Sequence, residues 1–331
     1  MQNIKVSKKC KLLIYNYFRH LGIYFLFSLL SIHTCFSQNI NCKPSQPELL
    51  ITSDSFQHSL TPKETTLPTI IQALLIAYRD SIETAITLKN FEGILHFKNK
   101  FKHAWSLPHQ RFDLIAWQSL SEQQQARLWQ DLGFQSFDQV LNQATLSEQL
   151  MQVYPKQNAI PKTNLPKDFE PGRLRDEIFF KKLYGMSKTE VAKSLKVIRW
   201  GKQRLKVTSI HQIDKRLSAI HSDLERCFKR FKRYYEPSAG TFHWRTIKGT
   251  SRLSVHSFGA AIDIGVKYSN YWKWTLKVYG MDPQGLIPYK NSFPWQIVKV
   301  FERYGFIWGG WWYHHDTMHF EYRPELLIDI D

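Results

Sequence analysis

The chain has 331 residues, of which 43% are apolar and 15% aromatic, so it can bury at least one substantial core and is not a disordered or low-complexity protein. Its formal charge of +17 favours acidic partners: nucleic acid, anionic lipid or a cell-wall polymer rich in carboxylates. Four cysteines in this length exclude a disulfide-framed fold.

In chain order, Lys5, Lys8, Lys9, Lys11 and Arg19 precede the apolar run LGIYFLFSLLSI, and CFSQ then puts Cys35 and Ser37 where a signal peptidase needs small residues. This pattern predicts a secretory signal over residues 1–37, cleaved after Ser37. The run is short for a membrane span, so no stable span is expected after cleavage. Lipid attachment at Cys35 is disfavoured, because Ile32, His33 and Thr34 do not match the small-residue pattern such processing needs. The expected destination is the periplasm or cell envelope, which removes nucleic acid as a partner. Cleavage takes away five basic residues and no acidic one, leaving a formal charge of +12. Cys42 and Cys227 remain, so one bridge at most is possible. Cys227 lies on an apolar helical face and is expected as a buried thiol rather than a ligand.

Residues 38–67 carry Pro, Ser, Thr and Gln without periodicity and are expected as a linker. A helical N-terminal region of unknown role is predicted over 68–165. Ile71, Leu74, Leu75, Tyr78, Ile82 and Ile86 recur at helical spacing, and Phe112 to Leu132 and Phe137 to Val153 behave similarly. Arg79 and Asp80 exclude a membrane span there. The stretch KQNAIPKTNLPKDFEPG contains three prolines and marks a domain boundary, so a second domain is expected over 166–331. In it, Ser187 and Glu190 form a predicted capping box ahead of a helix carrying Val191 and Leu195. A longer helix is predicted through Leu217, Ile220, Leu224, Cys227, Phe231 and Tyr234. Its other side carries Arg226, Lys229, Arg230, Lys232 and Arg233, a solvated face rather than a nucleic-acid surface.

After Pro237 the pattern becomes strand-like, and residues with chemical potential concentrate. In SVHSFGAAIDIG, from Ser254 to Gly265, an odd spacing would send His256 and Asp263 to opposite faces of one unbroken strand. A bend at Ser257, Phe258 and Gly259 is therefore predicted, followed by a buried strand from Ala260 to Ile264. Asp263 within it needs a positive partner, either a metal ion or an arginine, and a plain Asp–His hydrogen bond with no chemistry is the equal alternative on these residues alone. In WGGWWYHHDTMHFEY, Asp316 and His319 stand three apart, as on one helical turn, and Met318 to Tyr322 alternates like a strand. A turn that delivers His319 onto a sheet edge satisfies both patterns. His256, Asp263 and His319 make a nitrogen and oxygen donor set suited to one catalytic zinc (Zn2+) with a fourth position for water, and Asp316 is then placed to act as base. Taken singly, His319 could be a packed core histidine and Asp316 a helix cap. Two glycine-flanked clusters in one domain favour a site.

The pattern Ser-x-His-x-x-Gly-x-Ala-x-Asp at Ser254, His256, Gly259, Ala261 and Asp263, followed by Asp-x-x-His at Asp316 and His319, resembles the zinc D-alanyl-D-alanine carboxypeptidases of the VanY and VanX type. The likeness extends over GTFHWRTIKGTSRLSVHSFGAAIDI and HHDTMHFEYRPEL. It implies an α+β fold of the Hedgehog/DD-peptidase type with a small antiparallel sheet, and one zinc on His256, Asp263 and His319. It also implies Asp316 as general base and an arginine that polarises the scissile carbonyl, with Arg245 the best match and Arg252 its competitor. The activity implied is removal of a terminal D-alanine from peptidoglycan peptide stems. An endopeptidase of the same family, or a non-catalytic cell-wall binding module on the same fold, are the alternatives. Two positions depart from the family pattern: Asp316 stands where other branches carry glutamate, and Gly265 stands where asparagine is expected.

Overall fold

The structure is a computed structural model, and it describes residues 42–51, 60–61, 63–89, 91–156 and 160–328. The predicted signal over 1–37 lies outside these residues, as does part of the expected linker. The described residues from Pro44 onward form one compact unit. Among the described residues, no helix is long and apolar enough to cross a membrane.

The first helix, α1 (Thr69–Ala77), buries Ile71, Leu74 and Leu75. It ends well before the predicted periodicity does. Tyr78 closes it outside the helical region, and Ile82 and Ile86 lie instead on β1 (Ile82–Lys89). That strand pairs antiparallel with β2 (Glu92–Phe97), which pairs with β3 (Lys102–Ser106). The N-terminal region is thus a three-stranded sheet as well as helices, correcting the helical expectation. The physical reason is local: Ile82, Thr84, Ile86 and Thr87 are β-branched and fit a pleated surface better than a helix. Gly93 on β2 also lets the strands close, since a Cβ there would stand 2.0 Å from the Ile86 carbonyl oxygen.

Helices α2 (Leu114–Ser119), α3 (Glu122–Asp131), α4 (Phe137–Gln143) and α5 (Leu146–Met151) follow where the sequence predicts helix. Ser121 and Gln124 form a full capping box that separates α2 from α3. Trp117, Trp129, Val140 and Leu141 pack together with Phe169 and Leu174 from beyond the prolines. The boundary expected at 165/166 is therefore crossed by a shared core. Tyr154 crosses it too, donating to Glu302 at 2.9 Å and accepting from the Trp308 backbone at 3.0 Å.

Next come α6 (Glu177–Tyr184), α7 (Lys188–Ser194), the hairpin β4 (Leu195–Trp200) and β5 (Gln203–Thr208), and α8 (Ile213–Cys227). Ser187 caps α7 as predicted, accepting from the Glu190 backbone at 3.2 Å. The reciprocal half of the box is absent, because the Glu190 carboxylate accepts from Met186 instead. The long helix predicted through Tyr234 stops at Cys227. Phe228 leaves helical geometry, and a separate short helix, α9 (Lys232–Tyr235), buries Tyr235 rather than Tyr234. Cys227 is disulfide-bonded, not the free thiol expected.

The second half of the unit centres on a four-stranded antiparallel sheet of β6 (Ser238–Gly240), β7 (Ala261–Ile264), β8 (Phe306–Trp308) and β9 (His319–Tyr322), in the order β6-β7-β9-β8. Helices α10 (Trp272–Tyr279) and α11 (Trp295–Arg303) lie between β7 and β8 in sequence. Phe301 of α11 stacks on Phe320 of β9 with ring centroids 4.0 Å apart, and both are fully buried. Burying each such side chain contributes about 1.5–3 kcal/mol. An α+β architecture is the result, as the sequence predicts.

One buried histidine links stability to pH. His211 is held neutral by burial, aided by the nearby Arg216 charge, down to about 3. Its ring meets Ser81 Oγ at 3.3 Å. An unfolded histidine takes its proton near 6.5, so between about 6.5 and 3 the unfolded chain binds the extra proton and stability falls as pH falls. Thermal melts of wild type and His211→Asn across pH 7 to 4 should show a steeper decline for wild type; parallel curves would exclude His211 as the cause.

Candidate active site

The bend predicted after His256 is a 3-10 turn over Val255–Phe258, started by Ser254, whose Oγ accepts from the His256 backbone, and ended by Gly259 at φ 67°. A Cβ on Gly259 would stand 2.9 Å from the Thr208 backbone nitrogen, so this left-handed position requires glycine. The turn reverses the facing of His256 relative to β7 and brings it to Asp263. On the other strand, Asp263 lies directly opposite His319 in the β7–β9 register. β9 pairs with both β7 and β8, so His319 stands on an interior strand rather than the sheet edge expected.

Three donor atoms converge. His319 Nδ1 is 2.9 Å and His256 Nε2 is 3.2 Å from Asp263 Oδ1, and the two ring nitrogens are 3.2 Å apart. The other nitrogen of each ring is anchored: His256 Nδ1 donates to the Thr241 carbonyl at 2.6 Å, and His319 Nε2 donates to Glu321 Oε2 at 3.0 Å. Such partners orient metal-ligating imidazoles. Two imidazoles and a carboxylate suit zinc, and the arrangement fits one ion.

The electrostatics favour a cation at this point. Burial works against ionising Asp263, but His256 and His319 hold its carboxyl well below the usual carboxylate range. Burial likewise opposes a charge on His319, yet Asp263 and Glu321 outweigh it and push the imidazole up to about 10. An entering metal ion must displace that proton, so its affinity falls with acidity. A second cluster, His221, Glu225 and Glu236, also brings donor atoms together. There the Lys232 ammonium already lies 2.9 Å from Glu225 and 3.3 Å from Glu236.

Asp316 lies three residues before His319 and lines the same cavity, of about 310 Å³. Its Oδ1 is buried with no hydrogen-bond partner among the described residues. Burial, then the charge of Asp263, raises its carboxyl to about 7. Arg245 also lines this cavity and is exposed. Ser257 of the 3-10 turn holds it in place, accepting from the Arg245 backbone nitrogen and donating to its carbonyl, both at 2.9 Å. Arg252 does not reach this cavity. It is buried beside a neighbouring one, with Nη1 donating to the Arg173 carbonyl at 2.8 Å.

Gly265, the other departure, has a steric cause. It adopts φ 57°, and a Cβ there would stand 2.1 Å from the Tyr234 carbonyl oxygen, so asparagine cannot be accommodated. Support for Asp263 comes instead from Ser238, whose Oγ donates to the Asp263 carbonyl at 2.8 Å.

Several functional residues are not identified by the motif reading. Glu321, fully buried, anchors His319 and is itself held by Arg175 at 3.2 Å and Arg323 at 3.2 Å. Its signal was available: two residues from His319 on a strand is the same face. Arg173, Arg175, Trp272 and Trp274 also line the cavity, and no spacing in the sequence announces them.

Residues 248–322 match the sequence profile of a family described as D-alanyl-D-alanine carboxypeptidase. The matched segment covers 75 of the 331 residues. It contains His256, Asp263, Asp316 and His319. No curated protein and no solved structure matches the chain.

At this site, Glu321→Gln keeps the shape of the side chain but removes the charge that holds His319. Zinc affinity, measured by competition with a chelator of known affinity, should fall about 10- to 100-fold. Unchanged affinity would make Glu321 a packing residue only.

Proposed function

We propose that the chain is an exported, zinc-dependent peptidase of the cell envelope that acts on peptidoglycan peptide stems and removes their terminal D-alanine. The observation that carries this reading is the convergence of His256 Nε2, Asp263 Oδ1 and His319 Nδ1 within 3.2 Å of one another, in one cavity with Asp316, whose Oδ1 is buried. The basic N-terminal run and apolar segment support export, and the net positive charge suits a polymer bearing free carboxylates.

His256, Asp263 and His319 would hold one zinc per chain. When bound, that ion supplies Lewis acidity, polarising a carbonyl and lowering the pKa of water. Asp316 takes the proton of the attacking water and returns it to the leaving amine. Its Oδ1, without a hydrogen-bond partner among the described residues, leaves a lone pair for that proton, and its raised pKa makes it a stronger base than an exposed aspartate. Arg245 donates to the oxygen on which negative charge develops. Thr241 and Glu321 hold the two imidazoles in orientation, so neither must reorganise during the reaction.

Incubation of the zinc-loaded protein with defined stem peptides, with products identified by mass, tests this reading: loss of one terminal alanine is expected, and intact peptides would reject it. Asp316→Asn should retain one zinc per chain and lose about 10²- to 10⁴-fold in rate, the worth of general-base catalysis. Loss of zinc with the activity would instead make Asp316 a ligand. Because the carboxylate must be ionised to accept a proton, wild-type activity should fall on the acid side, and the residual activity of Asp316→Asn should lack that limb.

Arg245→Ala should lower kcat much more than it raises KM, since the oxygen it meets carries full charge only in the transition state. Steady-state kinetics on the same stem peptide measures the split. A pure KM effect would assign Arg245 to ground-state binding.

A further inference from the structure

We infer that Arg173 reads the free C-terminal carboxylate of the substrate, which makes the site that of a carboxypeptidase rather than an endopeptidase; this rests on the proposed peptidase function. Arg173 lines the cavity that holds His256, Asp263, Asp316 and His319. Its backbone is fixed at the carbonyl, which accepts from Arg252. One edge of its guanidinium is fixed as well: Nη1 donates to Glu170 Oε1 at 2.8 Å and meets His314 Nδ1 at 3.1 Å. Glu170 is fully buried, so that anchor is itself rigid. The remaining donors, Nε and Nη2, have no hydrogen-bond partner in the protein among the described residues, and neither is fully buried on this cavity-lining side chain. An arginine held on one side and open on the other is preorganised for a planar anion.

The other cations of the cavity are less suited. Arg175 is spent on Glu321, which anchors His319. Arg245 is exposed, and its proposed place is at the scissile carbonyl. Lys248 is an exposed point charge on a flexible stem. A terminal carboxylate satisfies the free donors of Arg173 with a charge-assisted bond. An internal peptide group offers no charge there and also presents an N–H, which the guanidinium cannot accept.

The test compares N-acetyl-D-alanyl-D-alanine as the free acid and as its C-terminal amide. Binding to the zinc-loaded full chain carrying Asp316→Asn, which slows turnover, is measured by calorimetry. The acid should bind about 10- to 150-fold more tightly than the amide, the worth of one charge-assisted hydrogen bond. Adding Arg173→Met should bring that ratio close to one, and Arg173→Lys should restore part of it. Equal binding of acid and amide before any change at Arg173 would overturn the inference without relying on a variant. So would an equal loss for both ligands in Arg173→Met, the signature of a merely structural residue. Wild-type hydrolysis of the free acid is followed in parallel. A preference for the acid that depends on Arg173, with no hydrolysis, would uphold Arg173 as the reader of the carboxylate while rejecting the peptidase reading and the carboxypeptidase assignment with it.

Discussion

Asp263 and His319 face each other across β7 and β9, and much of the surrounding structure compensates for burying their charges. A carboxylate in such a place is costly unless positive groups meet it. His256 arrives by the 3-10 turn, and His319 by the strand register. Neither contact survives a one-residue slip, because a slip sends a strand's side chains to the opposite face. The register is held by apolar neighbours, above all Phe320, which sits opposite Ile262 on one side and Trp308 on the other.

Compensation continues beyond the three donors. Charges alternate along a buried path from Asp263 to His319, Glu321, Arg323 and Glu325, with Arg175 as a second cation on Glu321. Each carboxylate is matched by a neighbouring cation, so no member is left as an isolated buried ion. Asp316 stands apart. Its Oδ1 is buried without a hydrogen-bond partner among the described residues, as are Arg323 Nη2 and Glu170 Oε2, but of these three residues Asp316 alone lines the cavity with His256, Asp263 and His319, where an unsatisfied group is more readily explained by chemistry than by stability.

Much of this site was legible in the sequence, because the motif residues lie within two short stretches whose local geometry follows from residue type. Glycine at 259 permits the bend, the apolar run from Ala260 makes the strand, and the spacing of Asp316 and His319 fits a turn entering a strand. What escaped depends on distant parts of the chain. Arg173 and Arg175 reach the cavity from a loop that no periodicity marks. The strand β1 was misread because Ile82 and Ile86, four apart, fit a helix as well as a strand, and the pairing partners that decide the matter lie on β2. The helix predicted through Tyr234 failed at Phe228, where the chain turns so that Tyr235, rather than its neighbour, enters the core. Gly265 shows the reverse case: its departure from the family pattern has a cause only in the approach of the Tyr234 backbone.

Tyr78, at the end of α1, donates to Glu325 at 2.5 Å, and Gln149 meets the same carboxylate at 3.3 Å. The path of alternating charges thus ends on groups supplied from outside the matched segment. Local unfolding of the N-terminal helices would leave Glu325 with fewer donors, and the loss would pass through Arg323 and Glu321 to the imidazole of His319. The ion pairs behind His319 are therefore continuous with hydrogen bonds from the N-terminal region. None of the described residues before the prolines lines the cavity, yet Tyr78 and Gln149 reach from there the charges that stand behind His319.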